Sequence, residues 1–170
     1  MAKFLSAFLV FVVATLLHWI FVEIFAPLNI SVGVMAAFSL VMAARLGRVG
    51  GYTFAFFSGL FLDFFTNIMF GGYAFVFTAM LFIFYRIEDT IDFKEAGPQI
   101  VITAALNFAA VLFYVFMGKI FTGDFLWQGA LSLIAGSVIT GLLLPVLYAV
   151  VAKYLIFGTV KKNNESKTVF

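Results

Sequence analysis

Asp63 is the residue best placed to do chemistry. It stands inside the apolar run 52–70, where Gly51, Ala55, Gly59, Asp63 and Asn67 recur every four positions. On a helix that spacing puts all five on one face. Small residues on such a face let another helix approach closely, which places the polar pair inside the contact. Two readings stay open. An intramembrane acid is a candidate substrate or proton site. Alternatively, Asp63 bonds to a neighbouring helix and locks the bundle or docks a partner. The apolar runs hold no Lys or Arg except Arg86, at the cytoplasmic end of the fourth, so the acid must be protonated or bonded to hydroxyl, amide or imidazole groups.

Other polar residues are few. His18, beside Trp19, sits in the outer third of the first run at a depth compatible with a bond to Asp63. Asn107, in the middle of the fifth run, is another polar group at similar depth. The run 52–70 breaks at Gly71-Gly72. Near the end of the chain, Gly129, Ser132, Gly136 and Thr140 share a face suited to tight helix packing. The turn 87–99 carries Glu88, Asp89, Asp92 and Glu95, which on a short helix would lie opposite Ile91. They could dock a basic patch on a soluble partner, or simply be solvated. Arg86 and Lys94 offset part of that charge and argue against a cation site.

Several chemistries find no support. There is no cysteine and one histidine, so a single His and a single buried Asp are too few for a metal centre. No phosphate-cradling Gly-rich loop, zincin sequence or nucleophile elbow occurs. The sequence therefore predicts no catalytic constellation, no cofactor and no nucleic-acid binding.

The elements that must position these groups are set by composition. The chain is 65% apolar and 11% charged, and its apolar residues come in runs long enough to cross a bilayer. The fold class expected is an all-α polytopic membrane protein. Six segments can be drawn, at 4–24, 28–44, 52–70, 73–87, 100–118 and 129–152. Short connections make consecutive helices antiparallel neighbours. Residues 1–157 form one transmembrane domain, and 158–170 form a polar cytoplasmic tail. The first run is too long for a cleaved signal core and is expected to be retained. Pro145 predicts a kink in the sixth.

The segment 52–70 is a weak inserter. Its seven Phe, two Leu and one Ile return about 3–6 kcal/mol, and a central Asp costs about 2.5–3.5 kcal/mol. It should lean on its neighbours. The segment 28–44 is short, about 25 Å at ~1.5 Å per residue against a core of ~30 Å. It is either a thin span or a re-entrant piece. With six spans and the N-terminus inside, nine basic residues (Lys3, Arg45, Arg48, Arg86, Lys94, Lys153, Lys161, Lys162 and Lys167) fall in the cytoplasm and only Lys119 outside. That is a positive-inside pattern, and it argues for both termini in the cytoplasm and a full second span. The 25 Phe are read as lipid-facing bulk and packing between helices.

The stretch Phe57-Ser58-Gly59-Leu60-Phe61-Leu62-Asp63-Phe64-Phe65, followed by Gly71-Gly72-Tyr73-Ala74, resembles the rod shape-determining protein MreD family of bacterial inner membranes. It matches that family's Gly-Leu-x-x-Asp core and Gly-x-His-Ala step, with Tyr73 in place of the commoner His. Pro27, the short second segment, the basic turn at Arg45 and Arg48, the length and the six-span plan also fit. The resemblance implies a non-enzymatic scaffold of the cell-elongation complex. Its partners would be MreC, through a transmembrane helix, then MreB, RodA and RodA's transpeptidase partner, with membrane lipid around it. It also implies a fold similar to the substrate-binding subunits of energy-coupling-factor vitamin transporters. Such a subunit is the alternative, with Asp63, Asn67, His18 and Trp19 lining a ligand pocket. Against it, the first segment has Ala7 and Ala14 in place of the Ala-x-x-x-Ala docking motif. A proton-coupled carrier would need a second buried ionisable group.

Overall fold

A computed structural model describes residues 2–66, 69–88, 95–123 and 129–154. Among them there are helices and no strand. α1 covers Ala2–Phe25, a single 3-10 turn covers Ala26–Leu28, and α2 covers Val34–Thr66. α3 covers Gly72–Ile87, α4 Ala96–Phe121 and α5 Ala130–Tyr154. By length and composition α1, α2, α4 and α5 can each cross a membrane, and α3 is a shorter apolar helix. The protein is an all-helical, membrane-embedded one. The calls on Asn67, Asp89, Asp92 and the tail 158–170 lie outside the described residues.

α2 is broken at Gly47, which has φ 75° and ψ −177° inside the helix. That backbone is strained for residues with a Cβ. The chain doubles back there. A Cβ on Gly51 would come within 2.8 Å of the Ala43 Cα, whereas eight residues of straight helix separate their ends by about 12 Å. α2 is thus two arms, 34–46 and 48–66, that meet at backbone distance beside the break. The Tyr85 hydroxyl of α3 faces the carbonyl oxygens of Gly47 at 3.1 Å and Ala43 at 3.3 Å, so it serves carbonyls that the broken helix leaves open.

The first arm is the centre of the bundle. Every residue from Val34 to Ala43 is buried. It is short and enclosed by helices, so little of it meets lipid. α2 packs chiefly on α3, and α4 on α5, while α1 leans on α2 from the edge. Phe38, Phe54, Phe77 and Phe84 fill the core, and Phe8, Phe57, Phe64, Phe75 and Phe116 face outward. The aromatic surplus therefore supplies both filler and lipid-facing surface.

The segment expected at 28–44 is corrected at its start. Residues 29–33 are not helical. Pro27 lies in the 3-10 turn, and Asn29 ends it in the left-handed region at φ 52°. This turn chemistry overrides the apolar character of Ile30 and Val32. The break placed at 45–51 contracts to Gly47, since Arg48 to Gly51 already belong to the second arm. The segments 73–87, 100–118 and 129–152 correspond to α3, α4 and α5, with α4 extended at both ends. Pro145 lies inside α5.

No atom lies within 4 Å of the position a Cβ would take on Gly47, so Gly47→Ala meets only backbone strain. It should lower stability by about 1–3 kcal/mol, measured as a shift in the denaturant midpoint of the purified protein in detergent.

Candidate functional site

The Gly51–Ala55–Gly59–Asp63 face is buried along its whole length, and it receives α3. Gly59 makes the approach possible: a Cβ there would fall 2.4 Å from the Cα and backbone nitrogen of Ala74. One turn further on, the Asp63 carboxylate meets the start of α3. Its Oδ1 accepts the Tyr73 N–H at 2.8 Å, and its Oδ2 accepts the Ala74 N–H at 3.2 Å.

The local sequence explains why α3 needs this. The residue preceding α3 is Gly71, at φ 88°, which offers no side-chain cap. The first amides of a helix have no partner within it, and in lipid an unpaired amide costs several kcal/mol. Asp63 therefore caps a helix to which it does not belong. A carboxylate also complements the positive end of the helix dipole. The partners expected for Asp63 were hydroxyl, amide or imidazole side chains. The structure replaces them with backbone amides, and the role it gives the residue is a lock between α2 and α3.

His18 and Asn107 go elsewhere. The His18 Nδ1 is buried without a hydrogen-bond partner, so the bond to Asp63 is not formed. The Asn107 amide donates to the Ser137 hydroxyl of α5 at 3.2 Å. Its Oδ1 lies where a Cβ on Gly33 would be, 2.0 Å from that position. The Gly33 N–H donates to Thr140 Oγ1 at 2.8 Å, the Thr140 hydroxyl donates to the Gly136 carbonyl at 2.7 Å, and the Ser132 hydroxyl donates to the Asn29 carbonyl. The small and polar face of α5 thus binds the non-helical segment 29–33. Gly136 lets the Ser31 carbonyl come close, since a Cβ there would stand 2.1 Å from it. Glu88 follows the last turn of α3, and Glu95 is exposed at the start of α4 without a side-chain cap.

These elements border a partly open cavity of about 280 Å³. His18 of α1, Ser31 to Gly33, Leu62 and Thr66 of α2, Tyr73 and Phe77 of α3, Asn107 and Tyr114 of α4, and Leu133 of α5 all border it. Among the described residues no charged side chain does, and Asp63 and Trp19 are not among its walls. The Tyr73 and Tyr114 rings stack at 4.0 Å between centroids. The Tyr114 hydroxyl is buried beside Thr66 and Tyr73. Sequence reasoning missed Tyr114, Thr66 and Gly33. A polar aromatic among so many aromatics gives no signal, whereas the Gly33–Thr140 bond was half visible in the α5 face. Among the described residues no group of His, Cys, Asp or Glu could hold a metal ion.

Fold and site together define a polytopic helical membrane protein with an internal helix cap and a neutral intramembrane cavity. No family model, curated protein or solved structure matches the chain.

Asp63→Ala leaves the Tyr73 and Ala74 amides unpaired and should cost about 2–4 kcal/mol. Asp63→Asn keeps one acceptor and should cost about half as much. Equilibrium unfolding of both variants in detergent measures the difference; equal losses would contradict the capping role.

Proposed function

We propose that this chain is a non-enzymatic scaffold subunit of the bacterial cell-elongation complex, held in the inner membrane. It would bind an MreC-like bitopic protein through helix contacts and help couple MreB filaments to peptidoglycan synthesis by RodA and its transpeptidase partner. The observation that carries the reading is the lock at Gly59, Asp63 and Tyr73–Ala74. It involves the same residues that carry the resemblance to the MreD family, and its work is to hold two helices together. A motif used that way suits a protein that acts by shape.

We further propose six passes with both termini in the cytoplasm. The reversal at Gly47 puts Arg45 and Arg48 at one turn, and the nine-to-one division of basic residues favours that turn inside. The first arm, about 20 Å long, would be the thin second pass.

The vitamin-transport alternative gains support from the cavity but loses it from the residues. Of Asp63, His18 and Trp19, which it would place around the ligand, only His18 borders the cavity.

Extraction in mild detergent should co-purify a bitopic membrane protein of the MreC type, identified by mass spectrometry. Recovery of transporter ATPase subunits in its place would reverse the ranking. Reporter fusions at residue 170 should report a cytoplasmic location, and activity of a periplasm-specific reporter there would overturn the topology.

A further inference from the structure

α1 and α4 each turn one stripe away from the bundle, and the two stripes match. On α1 the residues Leu5, Leu9, Val12, Leu16, Trp19 and Glu23 are all exposed. They recur at alternating intervals of four and three, the seam of a helix that packs on another at a shallow angle. The opposite side of α1 carries Val10 and Ala14, which are buried toward α2. α1 is also the least covered of the four long helices. On α4 the residues Val101, Ala105, Ala109, Leu112, Phe116 and Lys119 are exposed along one side. Each stripe is apolar until its last member, which is an acid on α1 and a base on α4.

We propose that α1 of one copy of this chain docks on α4 of a second copy. Charge and register choose that occupant. Both stripes have the same length, from Leu5 to Glu23 and from Val101 to Lys119. Laid side by side in one direction, Leu5 meets Val101, Leu9 meets Ala105, Leu16 meets Leu112, and Glu23 meets Lys119. A bulky residue then stands against a small one at Leu9, which lets the helices close up, and opposite charges meet at the end. The Lys119 ammonium donates to the Gly123 carbonyl at 3.0 Å. Among the described residues neither Lys119 nor Glu23 is in an ion pair. The like pairings are worse: α1 on α1 sets Glu23 against Glu23, and α4 on α4 sets Lys119 against Lys119, and such repulsion selects against them. Each copy carries both stripes, so the contact joins unlike faces and can close or repeat. The proposal rests on the six-pass reading, in which α1 and α4 run the same way and Glu23 and Lys119 reach the same membrane surface.

The chain has no cysteine of its own, so paired substitutions report the contact directly. Two differently tagged copies are expressed together, one with Leu16→Cys and the other with Leu112→Cys, and oxidised in native membranes. A disulfide joining the two tags is expected, and the same for Leu5→Cys with Val101→Cys. Glu23→Lys in the first copy, or Lys119→Glu in the second, should lower the yield about fivefold, the scale of one exposed ion pair. The two reversals together should restore it, which also shows that both variants are folded. Leu5→Cys joined to Phe116→Cys in place of Val101→Cys would overturn the contact and the six-pass reading together. Cross-linking of Leu16→Cys to a different protein alone, no disulfide between copies, or no restoration by the paired reversal would overturn the contact and leave the six-pass reading to the reporter fusions.

Discussion

A backbone amide in hydrocarbon must have a partner, and this bundle is arranged around the places where a helix cannot supply one. The start of α3 is the first such place. Glycine at position 71 permits the sharp entry into the helix but brings no side chain, so the cap is imported from α2. Importing it fixes the depth of α3 along α2, because Asp63 reaches its two amides only when Gly59 lies against Ala74. At the other end of the same pair, Tyr85 serves the carbonyls exposed by the break at Gly47. α3 is thus held on α2 at both ends, by the Asp63 carboxylate of the second arm at one and by its own Tyr85 phenol on the carbonyls of Ala43 and Gly47 at the other.

The segment 29–33 poses the same problem on the opposite side of the first arm. Its Gly33 amide and Asn29 carbonyl have no helical partner, and α5 meets them with hydroxyls from Thr140 and Ser132, while the bare backbone at Gly136 lets the Ser31 carbonyl approach. Asn107 of α4 adds an amide to the same region and is itself fixed by Ser137. Capping by α2 and clasping by α5 leave a space between them that neither fills. The cavity is the remainder of two separate solutions to one constraint, which is why every helix contributes to its wall.

The sequence displayed the donors of these interactions better than their acceptors. A four-residue period made the Gly59–Asp63 face plain, and the Gly136–Thr140 pair was equally visible. Their partners are backbone atoms of Tyr73, Ala74, Gly33 and Ser31, and backbone atoms leave no mark in residue type. For that reason hydroxyl, amide and imidazole groups were expected around Asp63 where main-chain amides stand. The turn at 29–33 was hidden by Ile30, Val32 and Val34, whose apolar character prolongs the appearance of a span, although Pro27 and Asn29 are turn residues. The break at Gly47 was bracketed by Arg45 and Gly51 without being located, since Gly50 and Gly51 are equally capable of a turn. Tyr114 was lost among so many aromatics, where only a three-dimensional arrangement reveals which hydroxyl lies inside the bundle.

The enclosure of the first arm has a consequence for biogenesis. Residues Val34 to Ala43 are covered by protein on all sides, and the Gly33 amide just before them waits for Thr140, more than a hundred residues later in the chain. During synthesis this arm leaves the ribosome long before its wrapping exists. Its final seat is therefore taken late, when the last helix arrives, and a nascent chain arrested before α5 would hold a short, half-clothed hairpin that quality-control proteases are equipped to recognise.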